Sequence, residues 1–146
     1  MNNFQHVEIL LVEDSDADAE MTLRTLKRRG IVNNVEWVRD GIEALDYLNC
    51  TGPYADRTNG NPKLVLLDLK MPRMDGLQLL ELMKANPLTR TIPVVMMTSS
   101  REEGDLMASY RLGVNSFVVK PVEFGEFAET VARVGMYWIL ANVAPG

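Results

Sequence analysis

One cysteine, Cys50, and one histidine, His6, are all that the sequence holds of the residues that most often bind zinc. A lone cysteine excludes an intrachain disulfide and a cysteine-based zinc site. A lone histidine leaves no partner for a His-based metal centre or a Ser-His catalytic pair. Cys50 is therefore read as a partly buried structural thiol. No apolar run approaches the roughly 20 residues that span a bilayer. The opening MNNFQHVE lacks the basic start and apolar core of a secretory leader, so a cytoplasmic protein is expected. Clustered positive charge is missing too: 15 Lys and Arg against 20 Asp and Glu leave a formal charge of −5, which argues against a nucleic-acid surface. The short run Lys27-Arg28-Arg29 does not alter this, since cations in the last turn of a helix complement its dipole.

What is present is 146 residues, 47% hydrophobic and 24% charged, the balance of an ordinary soluble globular protein. That length suffices for one continuous core and leaves no room for a second domain. A single domain over residues 1–146 is expected, its core at about 7–140.

The stretch from Lys63 to Gly76, KLVLLDLKMPRMDG, organises the rest. Leu64 to Leu67 is an unbroken apolar run, the pattern of a strand covered on both faces in a parallel sheet, and it ends in Asp68. Met71-Pro72 stops the strand, and Asp75-Gly76 turns into a helix. Upstream, Val7 to Val12 reads the same way and ends in Glu13 and Asp14. Ser15 is then an N-cap with Asp18 three residues on, and Leu23 and Leu26 stripe a helix that closes at Gly30. Val35 to Val38 is a short strand. Ile42, Ala44, Leu45 and Leu48 mark a helix from Gly41 to about Asn49, and Thr51 to Lys63 is a loop long enough to carry a contact of its own.

Leu77, Leu80, Leu82 and Met83 mark the next helix, ending near Asn86-Pro87. Pro93 to Met97 is a strand that delivers Thr98, Ser99 and Ser100. Glu102 to Leu112 is a weakly amphipathic helix closed by Gly113, and Ser116 to Val119 is a strand ending at Lys120-Pro121. Phe124, Phe127, Val131 and Val134 stripe a last helix. Five such alternations with short joints predict right-handed crossovers and a parallel sheet with helices on both faces, an α/β fold.

All strands of a parallel sheet share one carboxyl edge, where open α/β folds place their ligands. Glu13, Asp14, Asp68, Thr98 and Lys120 are expected to converge there. Three neighbouring carboxylates raise one another's pKa unless a cation compensates, and an all-oxygen cluster suits magnesium beside a phosphate. Lys120 and the Thr98 hydroxyl fit phosphate oxygens, and the set supports phosphoryl transfer to the Asp68 carboxylate. Each residue alone has a plainer role: an acid after a strand caps a helix, as Asp16 or Asp18 would, a threonine turns the chain, and a Lys-Pro step sits in a loop. Four strand ends presenting the whole set together are not explained that way.

LLVEDSDAD, LVLLDLKMPRMDG, VVMMTSS and SFVVKP together resemble the receiver domain of two-component response regulators, over about Val7 to Leu140. The resemblance implies a three-layer, doubly wound, flavodoxin-like fold whose five-stranded parallel sheet has the order 2-1-3-4-5. It implies Asp68 as phosphoacceptor, with Glu13, Asp14, Asp68 and the backbone carbonyl of Lys70 holding Mg²⁺. It further implies Thr98 as the switch hydroxyl, Lys120 as the bridge to the phosphoryl group before a cis Pro121, and Phe117 as the aromatic switch residue. Phe117 lacks the hydroxyl of the tyrosine often found there, and Lys70 and Ser100 stand at variable positions thought to set the phosphate lifetime. The long loop before the central strand and the aromatic C-terminus resemble the single-domain regulators that pair with bacterial phytochromes.

The function this resemblance implies is a stand-alone phosphorylation switch and not an enzyme. A histidine kinase in trans, a bacterial phytochrome by the narrower likeness, would load Asp68, and output would pass through protein contacts or a phosphorelay. A haloacid-dehalogenase-type phosphatase also uses an aspartate nucleophile and Mg²⁺, but Lys70 stands where its second aspartate belongs. A phosphate-independent binding module would not need the intact set of acids, threonine and lysine. Met136 to Leu140 is apolar all round, and a helix on one domain cannot bury every side of such a segment. A homodimer through the final helix is therefore expected.

Overall fold

Short aliphatic runs bounded by polar residues become strands here because each finds a parallel neighbour, and the described helices pack on both faces of the sheet. The computed structural model describes residues 9–27, 34–58, 60–71, 73–99, 111 and 113–133. In chain order its elements are β1 (Ile9–Val12), α1 (Asp16–Lys27), β2 (Val35–Val38), α2 (Gly41–Asn49), a 3-10 turn (Gly52–Tyr54), β3 (Leu64–Asp68), α3 (Gly76–Ala85), β4 (Val94–Thr98), β5 (Ser116–Val119) and α4 (Phe124–Arg133). The strands form one sheet in the order 2-1-3-4-5, every pairing parallel. This is the flavodoxin-like order that the resemblance to receiver domains implies, and the parallel sheet that the strand–helix alternation predicts.

Successive side chains of a strand point to opposite faces, and the core divides accordingly. Leu10, Val12, Val65, Leu67, Val94 and Met96 pack with Tyr47 and Leu48 of α2 and Leu79, Leu80 and Met83 of α3. Ile9, Leu11, Leu64, Leu66, Val95 and Met97 pack with Ala19 and Leu26 of α1 and Phe127 and Val131 of α4. Every residue of β1, β3 and β4 is buried, as unbroken apolar runs require.

The helices begin where side-chain oxygens meet their first free amides. Ser15 Oγ accepts from Asp18 N at 3.2 Å, and Asp40 Oδ1 from Glu43 N at 2.9 Å. Asp75 and Gln78 form a reciprocal capping box ahead of α3. Cys50 closes α2 in the left-handed region, φ +56°, and its thiol is half-buried and free.

The structure departs from the sequence reading at several points. Leu82 and Ile42 are 45% and 43% exposed, and Leu79 and Tyr47 take the core positions instead. Helical spacing alone does not fix which face is buried; the way each helix packs on the sheet does. β4 runs one residue later than expected, because proline has no ladder donor; Pro93 contributes only its carbonyl, which accepts from Val65 N at 2.9 Å. The long loop is anchored. Arg57 Nε donates to the Tyr47 carbonyl at 2.8 Å with its guanidinium 4.0 Å from the Tyr47 ring centroid, and Asn61 Nδ2 donates to the Leu88 carbonyl at 2.9 Å. All of the helix expected at 102–112 except Arg111, together with Gly30, His6, Val134 and the apolar segment 136–140 on which the dimer expectation rests, lies outside the described residues. Among the described residues no helix is long and apolar enough to cross a membrane.

Gly76 shows how tightly α3 is set against β3: a Cβ there would stand 2.5 Å from the Asp68 carbonyl oxygen and 3.0 Å from Leu69 Cα. Gly76→Ala is expected to cost about 1–3 kcal/mol, as overpacking does. Gly125 in α4 has nothing within 4 Å of the same position, so Gly125→Ala should be neutral or stabilise by up to about 1 kcal/mol. Urea unfolding of the two variants checks both, and a Gly76→Ala protein as stable as the parent would contradict the close approach.

Candidate functional site

The carboxyl edge of the sheet collects polar residues that the strands themselves cannot absorb. Glu13 follows β1 and extends its ladder, its amide donating to the Val38 carbonyl at 3.0 Å. The Trp37 indole N–H donates to the Glu13 carbonyl at 2.8 Å, and Ser15 N to Glu13 Oε2 at 3.2 Å. Glu13 is wholly buried, while Asp14 beside it is exposed. Asp68 is the last residue of β3, only 4% exposed. Thr98, the last residue of β4 and equally buried, accepts Lys120 N on its carbonyl at 2.8 Å, which draws the residue after β5 to the edge. The Lys120–Pro121 peptide is cis.

The predicted set is thereby brought together. Carboxylate oxygens of Glu13, Asp14 and Asp68 lie within 4.8 Å of one another. Lys120 Nζ reaches Asp18 Oδ2 at 3.0 Å, Glu13 Oε1 at 3.1 Å and Asp68 Oδ2 at 3.3 Å. Lys70 is exposed in the loop after β3. Phe117 is half-buried on β5, opposite Met96 in register, and packs against the core layer on the α2 and α3 side.

Charge at this edge is not balanced. Burial, then the charge and hydrogen bonding of Asp68, push the Glu13 carboxyl up to about 7, against the pull of Ser15 N–H and Lys120. Burial raises Asp68 as well, with Asp14 adding to it and Glu13 and Lys120 opposing. Burial would depress the Lys120 ammonium, but hydrogen bonding to Asp18 and the charges of Asp68 and Glu13 outweigh it and hold its pKa above the ordinary value. One ammonium among four acids leaves a deficit that a divalent cation on the all-oxygen cluster would fill.

Sequence reasoning treated Asp18 only as a cap residue, and it missed Trp37 and the clamp on the loop after β3. In that clamp Asp40 pairs with Arg73, whose φ is +64°, and Met74 lies against Gly41. Asp18 had one available signal: it stands in the first turn of the helix that starts directly after the strand end carrying Glu13 and Asp14.

A family model described as the response regulator receiver domain matches residues 9–132. The probable methanogenesis regulatory protein FilR2 of Methanothrix harundinacea is 40% identical over 138 residues, 94% of this chain and 87% of that protein. Response regulator Rcp1 of Synechocystis is 37% identical over 137 residues, 94% of this chain and 92% of its own length. Among solved structures, that of the bacteriophytochrome response regulator AtBRR is 54% identical with a TM-score of 0.85, covering 94% of this chain and 99% of that one. The Mn²⁺-bound form of Rcp1 is 36% identical with a TM-score of 0.74, covering 94% and 98%.

A raised carboxyl pKa sets the sign of the pH dependence. Protonated Glu13 favours the folded state, a contribution fully present below the unfolded value of 4.5 and lost as pH rises through about 7. Metal-free protein should therefore show a urea midpoint that falls between pH 5 and pH 8, and Glu13→Gln should flatten that slope. A divalent cation needs deprotonated ligands and should raise the midpoint more at pH 8 than at pH 5. A slope unchanged by Glu13→Gln would contradict the assignment.

Proposed function

The chain belongs to the response regulator receiver family, and we propose that Asp68 is the carboxylate on which it accepts a phosphoryl group. It is a module of two-component signal transduction, not an enzyme that turns over a free substrate. The observation that carries the proposal is the convergence of buried Asp68, the Glu13 and Asp14 carboxylates and the Lys120 ammonium at one strand edge. A haloacid-dehalogenase-type phosphatase has no second aspartate here, since Lys70 occupies that position.

In the proposed reaction an Asp68 carboxylate oxygen attacks the phosphorus of a phosphohistidine. The P–N bond breaks, and its electron pair returns to the departing imidazole, so the phosphoryl group passes over without net oxidation. Two anions must approach each other, and Mg²⁺ held by Glu13, Asp14, Asp68 and the Lys70 carbonyl would supply the charge that permits it. A hard divalent cation fits an all-oxygen donor set, and the Mn²⁺-bound form of Rcp1 supports the same kind of occupant. Lys120 then pairs with one phosphoryl oxygen and the Thr98 hydroxyl donates to another. Thr98 moves toward the group and Phe117 turns inward, shifting an equilibrium between two existing states. The similarity to AtBRR supports a bacteriophytochrome histidine kinase as the donor, with output through a protein partner.

A small phosphodonor such as acetyl phosphate, with Mg²⁺, should label Asp68, and Asp68→Asn should abolish the label. Phosphopeptide mapping decides, and undiminished labelling of that variant would sink the assignment. Phosphate lifetime gives a further expectation. Lys70 stands two residues past Asp68, where its long cationic side chain can pair with phosphate oxygens and obstruct the hydrolytic water. Phosphate on the Lys70→Asn variant should decay faster than on the parent; equal or slower decay would remove that role.

A further inference from the structure

Asp18 is the acid at the sheet edge that neither the cation cluster nor the phosphoacceptor role uses. It sits in the first turn of α1, its amide donated to Ser15 Oγ. Its Oδ2 is 3.0 Å from Lys120 Nζ, nearer than Asp68 Oδ2 at 3.3 Å. Glu13 Oε1, at 3.1 Å, is the other close partner. An ammonium has three donors, so two acids other than the phosphoacceptor hold most of its capacity at rest. They differ in freedom: Glu13 is wholly buried, whereas the Asp18 side chain is 43% exposed. Asp18 also lines an open cleft of about 400 Å³ with Met21, Thr22, Ser99, Lys120 and Pro121. It can turn into that cleft and keep its charge hydrated, which a buried carboxylate cannot do.

We infer that Asp18 is a positioning residue for Lys120, sharing the ammonium at rest and releasing it when a phosphoryl group arrives on Asp68. The inference rests on Asp68 being the phosphoacceptor. Asp18 then competes with the phosphoryl group for one cation, and the strength of that competition sets how readily the loaded state forms. A partly exposed acid is suited to this, because its pairing with lysine is weak enough to be exchanged.

The probe is beryllofluoride with Mg²⁺, a phosphoryl mimic whose affinity can be measured by calorimetry without a kinase. Asp18→Asn should bind it roughly two- to five-fold more tightly, the range expected for losing one part-exposed ion pair. Asp18→Glu should return the affinity toward the parent's, and the gain should vanish in a Lys120→Met background. An Asp18→Asn affinity equal to or weaker than the parent's would overturn the inference. So would a gain that persists without Lys120, since that reports only the removal of negative charge. The resting, metal-free protein gives an independent readout in the side-chain ammonium resonance of Lys120. Asp18→Asn should shift it and Asp18→Glu restore it, and an unmoved resonance would overturn the inference even if the Lys120→Met variant bound the probe too weakly to measure. Persistent phospholabelling of Asp68→Asn would instead overturn the phosphoacceptor reading, a result the resonance experiment does not share.

Discussion

The ammonium of Lys120 is the interaction on which the carboxyl edge depends. Glu13 and Asp68 are buried side by side, and buried carboxylates persist only if paired or protonated. One cation within 3.3 Å of Glu13, Asp18 and Asp68 makes their burial tolerable without neutralising them. What is left over is an electrostatic deficit at a fixed place, which suits the divalent cation and the phosphoryl group proposed for this edge. A fully compensated edge would have been more stable and would have had no use for either.

Backbone contacts, not the side chains themselves, deliver these charges. Lys120 comes to the edge because its amide bonds to the Thr98 carbonyl, and Glu13 because its amide bonds to Val38 and its carbonyl accepts from Trp37. Asp68 is held from behind by the first residue of α3, where only glycine leaves space for its carbonyl. The loop after β3 is tied to α2 through Arg73 and Asp40, and Asp40 also caps that helix. One carboxylate with two partners thus ties the loop after β3 to the N-terminus of α2.

Phe117 belongs to the other end of the proposed switch. It stands on an edge strand, half-buried, against the layer that packs with α2 and α3. A ring in that position can exchange one apolar contact for another at little cost in buried area, which a residue such as Met96 beside it, fully enclosed, cannot do. In the proposed switch, a change at Lys120 and Thr98 would reach the surface through Phe117 and leave the three buried central strands in place.

The sequence by itself determined the architecture and the membership of the site. Unbroken runs such as Leu64–Leu67 mark strands buried on both faces, alternation with helical stripes makes the sheet parallel, and a parallel sheet gathers its strand ends at one edge. Glu13, Asp14, Asp68, Thr98 and Lys120 could be assembled on that logic alone. Tertiary structure decided which side chains meet. Asp18 and Lys120 are 102 residues apart, Trp37 and Glu13 are 24 apart, and Arg73 and Asp40 are 33 apart. It also decided that Leu79 and not Leu82 enters the core, and that Arg57 and Asn61 pin the long loop. The reason is that local pattern encodes period and face, quantities repeated every few residues. The partner of a given side chain depends on how far and at what angle each crossover carries the next helix over the sheet, and no window of neighbouring residues contains that distance or that angle.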